Sequence, residues 1–334
     1  MSQKPTEQGT TMPGIVDTFL TNKILCALLT VMMLTAVYWL DMLFGNLGLI
    51  AFLFLLVGVL LHLGVPGLIA LVSLGGGPQY SLQVGGIAAL MLLLLASGSV
   101  STVLVFLMLF VALPTIAAQV MRRQGIGQVA WLLAVLLFVG FATAMVMAAS
   151  PQDLEAFVHQ QFKPTFDAMI ARIPPEAKED IANMHTLQGM MVKVFPGFFI
   201  FGLWLIWWGD LILARWIAQK YGFYQGVDSP VLSFALPRVL VYVLLVLLGL
   251  ANMATGNLQY LALNGVIVLS ALIAVQGIAV SHAWLASKGM GNGVLVMYAM
   301  LFFWSFVVVI FTLIGLFDMW FNFRRKFVSA TGEK

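Results

Sequence analysis

The chain has 334 residues, of which 62% are hydrophobic and 9% are charged. Because a water-soluble domain carries about 25% charged residues, this composition excludes a soluble protein and predicts a multi-pass protein of the lipid bilayer. The net charge of +3 is too small to indicate a nucleic-acid partner, and the single cysteine, Cys26, excludes an internal disulfide.

The predicted fold class is all-α, a transmembrane helical bundle of about eight spans (eight or nine). Only helices satisfy their backbone groups internally in lipid, and each needs about 20 apolar residues to cross. Residues 1–20 are polar and are predicted to be a disordered cytoplasmic tail. The apolar segments that follow are 24–44, 47–74, 82–97, 99–121, 128–149, 194–217, 239–256, 258–286 and 292–319.

Two of these segments contain a proline next to glycine. Gly64-Val-Pro-Gly67 interrupts the second segment, and Pro196-Gly197 lies near the start of the sixth. Proline has no N–H to donate and glycine loosens the backbone, so we expect a broken or bent helix at both places. Broken helices of this kind often line the binding sites of transporters.

A polar insert, residues 150–193, separates two apolar halves and holds six acids and four bases. Ser150-Pro151-Gln152-Asp153 is typical of an N-cap with proline at the first helical position. Apolar residues then recur at helical spacing, which predicts an amphipathic helix ending at Pro174-Pro175. A second short helix is expected from Glu176 to about Met190. The insert is interpreted either as helices lying on the membrane surface or as a lid over a site.

These features suggest five parts. They are the tail 1–20, a first transmembrane bundle 21–149, the extracytoplasmic insert 150–193, a second transmembrane bundle 194–327 and a cytoplasmic tail 328–334.

Lysine and arginine favour the cytoplasmic side of membrane proteins. With the amino terminus inside, three simple spans after Arg238 would place the terminal bases outside and leave eight of the sixteen bases inside. An even number of late spans places twelve of them inside. We therefore expect one late segment not to span simply, so that both termini are cytoplasmic.

Polar residues within apolar segments are the candidate functional residues, because a charge at mid-membrane costs about 2.5–3.5 kcal/mol on insertion scales. Polar side chains there either bond between helices or contact a bound solute. The ion-pair candidates are Asp210, Arg215, Arg238 and Asp318, and the solute-contact candidates are Asn252, Asn257, Gln276 and His282. Asn264 belongs to the same polar hairpin as Asn252 and Asn257.

Asp318 interrupts the last apolar segment about one turn before aromatic residues and the bases Arg324 to Lys326. Aromatic residues and bases are typical of a cytoplasmic anchor, but a carboxylate is not. We interpret Asp318 as a latch that pairs with a base at another helix end, such as Arg238 or Arg215. The alternative is that Asp318 belongs to a binding site.

The sequence lacks the usual catalytic patterns. It contains no His-Glu-x-x-His, no Gly-x-Ser-x-Gly and no phosphate-binding Gly-x4-Gly-Lys-Ser/Thr. Its four histidines are scattered, and one cysteine is too few for a typical zinc site. The expectation is a protein that is not an enzyme, needs no metal or cofactor, and depends on a separate ATPase if it uses ATP.

Several short stretches of the second half occur in an order that resembles a known family. They are Phe195-Pro196-Gly197, Leu213-Ala-Arg215, Leu236-Pro237-Arg238, Gln276-Gly277-Ile278-Ala279 with His282, and Gly315-Leu-Phe-Asp318 with Phe323–Lys326. Residues 190–327 resemble the YybS-like family of bacterial membrane proteins, a domain of unknown function known as DUF2232. The resemblance implies the bacterial cytoplasmic (inner) membrane.

That family is distantly similar to the substrate-binding (S) components of energy-coupling-factor transporters. The similarity implies a helical bundle that holds a small-molecule solute and works with other membrane subunits and a separate ATPase. Two functions remain open from the sequence. One is a solute-binding or transport subunit, and the other is a non-transporting membrane scaffold or assembly factor.

The predicted orientation has a direct test. A reporter fused after Lys334 is expected to read as cytoplasmic, because only that arrangement gives the asymmetry of bases. A periplasmic reading would contradict the even number of late spans.

Overall fold

The computed structural model describes residues 12–45, 49–95, 99–150, 152–174, 177–304 and 306–323. Within these ranges the chain is largely helical and contains no strand, which confirms the all-α fold. A π-helical stretch, Leu107–Ala112, joins α7 to α8. The helices are α1 Gly14–Thr21, α2 Lys23–Leu34, α3 Ala36–Phe44, α4 Leu49–Leu63, α5 Val65–Gly75, α6 Pro78–Leu95, α7 Val100–Phe106, α8 Leu113–Gln124, α9 Ile126–Ala149, α10 Leu154–Ile170, α11 Lys178–Lys220, α12 Val239–Met253, α13 Gly256–Ser287, α14 Gly291–Phe303 and α15 Val307–Phe321.

Among the described residues, six helices are long and apolar enough to cross a bilayer, which makes the chain a multi-pass membrane protein. The count becomes seven if α1 and α2, which are bent by 108°, form one broken span. The six are Ala51–Gly75, Pro78–Leu95, Val100–Gln124, Ile126–Ala149, Glu179–Lys220 and Gly256–Ser287.

The count is lower than the predicted eight or nine because three of the predicted segments form only short helices. Segment 24–44 is divided near Thr35 into α2 and α3, which have 12 and 9 residues. Segment 239–256 contains α12, with 15 residues, and segment 292–319 contains α14 and α15, with 13 and 15 residues. A simple span needs about 20 residues. The segment expected at 292–319 is divided near Trp304 into α14 and α15, so it does not form one continuous span.

Both helices of the polar insert differ from their predictions. α10 begins at Leu154, with Asp153 as its N-cap, and runs to Ile170, whereas the helix was predicted to begin at Pro151, which lies outside the described residues. The second helix was expected to end near Met190, but α11 continues through Pro196 to Lys220 as one helix of 43 residues. The prediction was wrong there because side chains of α13 replace the backbone hydrogen bonds that the proline disrupts.

Contacts between helices group the chain into two compact units. Unit 1 comprises the described residues within 1–129 and 205–231, and unit 2 those within 130–204 and 232–334. This grouping differs from the division at the polar insert that the composition suggests. Both α9 and α11 run along the chain from one unit into the other, so neither unit is a single stretch of sequence.

The core of unit 1 lies where α2, α5 and α6 meet and consists of small and branched apolar side chains. Cys26 is part of it and is fully buried. Other core members are Ala27, Val31, Val65, Ile69, Val72, Val84 and Ala88. Short side chains at a helix interface allow helix backbones to approach closely within a membrane.

In unit 2, α15 crosses α13 at Gly277 and Gly315. A Cβ on Gly277 would overlap the carbonyl oxygen of Phe311, and a Cβ on Gly315 would overlap the carbonyl oxygen of Ile273. The two backbones are therefore in direct contact, and only glycine fits at either position. This crossing positions the end of α15, including Asp318, against α13.

Replacing Gly277 by alanine is expected to destabilise the protein, because the new methyl group forces α15 away from α13. Overpacking of this kind typically costs about 1–3 kcal/mol. The measurement is the melting temperature of the detergent-solubilised protein. Gly249→Ala is the matched control, since a Cβ there meets nothing within 4 Å, and it should be no less stable than wild type. Equal melting temperatures for the two variants would contradict the close crossing.

Candidate functional site

The break between α4 and α5 in unit 1 exposes a backbone donor. Gly64 lies between the two helices, and its N–H donates to the carbonyl oxygens of Leu60 and Leu61 at 3.0 and 3.2 Å. Pro66 follows in the first turn of α5 and has no N–H. The next residue, Gly67, lies against the side chain of Asp210 on α11, and its N–H interacts electrostatically with that carboxylate. The helix break and the acid thus form one feature.

Glycine at position 67 allows Asp210 to approach the backbone. A Cβ on Gly67 would lie 3.1–3.3 Å from Asp210 Cβ, Cγ and Oδ1. The other carboxylate oxygen, Oδ2, is buried and has no hydrogen-bond partner among the described residues. A buried acceptor without a donor costs about 1–3 kcal/mol, and more for a charged group. Asp210 Oδ2 is therefore the polar atom best placed to receive a ligand.

Trp207 precedes Asp210 by one helical turn, so the two side chains lie on neighbouring positions of one face. Its indole Nε1 is also buried and has no acceptor among the described residues. We call Gly67, Trp207 and Asp210 the Asp210 site. It offers one acceptor, Asp210 Oδ2, and one donor, Trp207 Nε1, beside an aromatic ring.

Aromatic contacts extend from this site to His62. The Trp207 ring centroid is 5.8 Å from that of Phe110, and the Phe110 centroid is 5.4 Å from that of His62. His62 Nδ1 lies 2.7 Å from the carbonyl oxygen of Leu34. Phe110 belongs to the π-helical stretch 107–112, and such stretches are frequent at functional sites.

Arg215 is on the same helix as Asp210 but binds elsewhere in unit 1. Its guanidinium donates from one terminal nitrogen to Asp228 Oδ1 at 2.7 Å and from the other to the Ser229 carbonyl at 2.6 Å. The Arg215 side chain is 8% exposed and that of Asp228 is 79% exposed. Arg215 therefore holds the loop after α11, rather than forming the expected pair with an intramembrane acid.

Tyr224 stabilises the same loop. Its hydroxyl donates to the Val227 carbonyl at 3.2 Å, and its ring faces the Arg215 guanidinium at 5.8 Å. Burial raises the pKa of the Tyr224 phenol above its usual value, although the Arg215 charge acts in the opposite direction. The phenol thus remains a neutral donor at physiological pH.

In unit 2, Asp318 lies at the end of α15 and is 3% exposed. Its Oδ2 accepts from Gln276 Nε2 at 2.8 Å, and its Oδ1 accepts from the Phe323 backbone N–H at 2.9 Å. Gln276 Oε1 accepts in turn from the Leu236 N–H at 2.8 Å. This chain of bonds connects the segment before α12, the middle of α13 and the end of α15.

Arg238 reaches the same helix end but binds its backbone. Its Nε donates to the Met319 carbonyl at 2.8 Å and its guanidinium nitrogen to the Trp320 carbonyl at 3.4 Å. A cation at a helix carboxyl terminus satisfies free carbonyls and favours the helix dipole. Asp318, Gln276 and Arg238 therefore act as a latch on α15, with Gln276 as the side-chain partner of the acid. The bases Arg324 to Lys326 lie outside the described residues.

The four solute-contact candidates are not brought together. Asn257 Oδ1 accepts from the first N–H of α10, that of Leu154, at 2.8 Å, and Asn252 Nδ2 donates to the Leu248 carbonyl of its own helix. His282 Nδ1 lies 3.0 Å from the Tyr298 hydroxyl. Asn257 and Gln276 are 19 residues apart on α13, or about 28 Å along its axis. One small solute cannot contact both.

Sequence reasoning missed the part that Gly67 and Trp207 play at Asp210. The available signals were the helix break and the intramembrane acid, but nothing in the spacing of residues 67 and 210 indicates that they meet. Within the described part of the chain, no group of three or more His, Cys, Asp or Glu side chains is arranged to hold a metal ion.

A family model described as "Predicted membrane protein (DUF2232)" matches residues 42–319. The match includes Asp210, Arg215, Arg238 and Asp318. It also covers residues 42–189, which lie before the range 190–327 in which the sequence resembles the family. No curated protein and no solved structure matches the chain. The similarity to transporter S components is not confirmed by these comparisons.

Asp318→Asn is expected to destabilise the protein. The carboxylate accepts hydrogen bonds from Gln276 Nε2 and from the Phe323 backbone N–H. The amide of asparagine has one oxygen and one NH2 group, so one of these two donors would face another donor. The cost is about 1–3 kcal/mol and is measured as a lower melting temperature in detergent. Asp41→Asn, at an exposed position of α3, is the control and should be neutral. Unchanged stability of Asp318→Asn with altered function would favour a binding role over a latch.

Proposed function

The chain belongs to the DUF2232 family of predicted membrane proteins, and from this premise we propose that it is a membrane subunit that binds a small cationic solute at the Asp210 site. The observation that carries the proposal is the buried Asp210 Oδ2, which has no hydrogen-bond partner among the described residues. An ionisable residue within a transmembrane segment is by default a candidate functional residue, because it is costly to keep there.

An ionised Asp210 favours a cationic ligand. The base nearest to it along α11, Arg215, directs both terminal nitrogens to Asp228 and Ser229. The Gly67 backbone lies against one side of the carboxylate, and Oδ2 has no partner among the described residues. A ligand with a charged N–H donor compensates this oxygen, since hydrogen bonds to charged groups are stronger than neutral ones.

Beside the carboxylate, the Trp207 side chain adds an apolar surface and a second polar group. The Trp207 ring supplies an apolar face that attracts cations, and its Nε1 requires an acceptor. A ligand with an ammonium group and an adjacent oxygen would satisfy both Trp207 Nε1 and Asp210 Oδ2. The class that fits is therefore a small aminated solute rather than an anion or an apolar molecule.

The position of the site supports solute binding within the bilayer. It lies at the irregular turn between α4 and α5, within the candidate span Ala51–Gly75, and irregular points in helices often line the binding sites of transporters. Movement of the solute would require another energy source, either a separate ATPase or an ion gradient. We place the protein in the bacterial cytoplasmic membrane with both termini in the cytoplasm, on the basis of its family and its distribution of bases.

A membrane scaffold or assembly factor is the second proposal. The observation that favours it is a group of strongly exposed aromatic side chains where α14 gives way to α15, namely Phe302, Phe303, Trp304 and Phe306. Such side chains suit contact with partner helices. This role makes no use of the Asp210 carboxylate, so variants of Asp210 distinguish the two proposals.

The test uses the purified protein in lipid nanodiscs, with methylammonium and ethanolamine as cationic probes and acetamide as a neutral probe. We expect the cationic probes to change the fluorescence of the chain and Asp210→Asn to weaken their binding about tenfold or more, because an uncharged amide loses the charge-assisted bond. Asp41→Asn is the matched control and should bind as wild type does.

Equal binding by Asp210→Asn and Asp41→Asn would contradict the proposed site. Absence of probe binding, together with membrane proteins that co-purify equally with wild type and Asp210→Asn, would favour the scaffold role. A small aminated molecule that mass spectrometry detects in wild type but not in Asp210→Asn would identify the natural ligand.

A further inference from the structure

The helix α11 in unit 2 passes through Pro196 without ending, although proline removes a backbone donor. In a regular helix the N–H of residue 196 would donate to the carbonyl of Val192. Here the Tyr260 hydroxyl, from α13, donates to the Val192 carbonyl at 2.6 Å. A side chain of a neighbouring helix therefore supplies the hydrogen bond that the proline cannot make.

Asn264 makes a second replacement one residue later. The Gly197 N–H donates to Asn264 Oδ1 at 2.7 Å, and Asn264 Nδ2 donates to the Lys193 carbonyl at 3.1 Å. In a regular helix Gly197 and Lys193 would bond to each other. The amide of Asn264 thus lies between the two backbone groups and satisfies both.

The two side chains are built into the core of unit 2. Tyr260 is 4% exposed and Asn264 is 2% exposed, and they are four residues apart on one face of α13. Asn264 Nδ2 also donates to the Tyr260 carbonyl at 2.9 Å, which orients the amide. Gly197 permits the approach of α13, because a Cβ there would lie 2.9 Å from Ile267 Cβ.

We call the hydrogen bonds that Tyr260 and Asn264 make to the backbone of α11 the splice. We propose that the splice is detachable and that Pro196 is a hinge within the membrane. If Asn264 withdraws, Gly197 and Lys193 have each other as partners, so the exchange replaces two bonds to a side chain by one local bond. The Val192 carbonyl, by contrast, has no backbone N–H to accept from in place of Tyr260, because residue 196 is proline. Two alternative hydrogen-bond patterns at a proline make a two-state element.

The hinge is independent of the Asp210 site, since it depends only on contacts within unit 2. With the splice in place, α11 keeps the form seen here. With the splice withdrawn, the carbonyl of Val192 is free and the proline ring clashes with the preceding turn, so α11 bends, as helices do at prolines without local support. The splice therefore controls a bend of α11 at Pro196.

The experiment measures the distance between two spin labels on α11 in lipid nanodiscs. The labels replace the exposed residues Asn183 and Leu205 in a chain with Cys26→Ala, and they lie on either side of Pro196, about 33 Å apart along a straight helix. We expect one dominant distance in the otherwise wild-type chain. Asn264→Leu, which keeps the size of the side chain but removes its polar atoms, should raise the fraction of a shorter distance about fivefold.

Pro196→Ala added to Asn264→Leu should restore the dominant distance, because alanine returns the N–H that bonds to Val192 and the splice is no longer needed. A purely structural loss at Asn264 would not be rescued in this way. Tyr260→Phe removes a single oxygen and serves as a milder second variant, so the test remains decisive if Asn264→Leu does not fold.

Asn252→Leu is the matched control, because that amide bonds only to the Leu248 carbonyl of its own helix, and it should leave the distances unchanged. The proposal is overturned if Tyr260→Phe and Asn264→Leu both give the same distances as Asn252→Leu. It is also overturned if the shorter distance persists after Pro196→Ala, since the bend would then not arise at the proline.

Discussion

Backbone N–H and C=O groups inside a bilayer have no water to bond with, and each break in a membrane helix must be satisfied by another part of the protein. At three irregular points of the described chain, polar side chains lie against the backbone. Asp210 of α11 lies beside Gly67 after Pro66, and Tyr260 and Asn264 of α13 bridge the turn at Pro196. Asp318 of α15 itself, together with Arg238 from the segment before α12, bonds to the backbone at the end of α15. The polar residues within the apolar segments therefore chiefly contact the irregular points of the helix backbone.

These three points differ in how completely the polar atoms are used. At the end of α15, both oxygens of Asp318 accept hydrogen bonds, and both polar atoms of Gln276 are engaged. At Pro196, the Asn264 amide makes three hydrogen bonds. At Asp210, one carboxylate oxygen remains buried without a partner among the described residues. Buried polar groups normally have hydrogen-bond partners, so Asp210 is the incomplete one of the three.

The distribution of charge follows the same logic. Arg215 and Arg238 both bond to carbonyl groups, the former in the loop after α11 and the latter at the end of α15. Guanidinium groups suit this task because their donors are several and fixed in one plane. Both bases therefore have hydrogen-bond acceptors without pairing with an intramembrane acid. Asp210 is therefore paired with neither of these bases.

The sequence by itself determined the fold class, the membrane location and the positions of the polar residues, because apolar runs and isolated acids are properties of the chain alone. It also located the irregular points at Gly64–Pro66 and Pro196–Gly197, since proline and glycine act locally, but α11 continues through Pro196 without the expected break. Only the tertiary structure decided their consequences. Whether a proline ends a helix depends on whether a donor such as Tyr260 reaches the exposed carbonyl, and whether an acid is a latch or a site depends on how many donors meet its oxygens. Those partners are 64 and more residues away in sequence for both Pro196 and Asp210, so no local pattern records them.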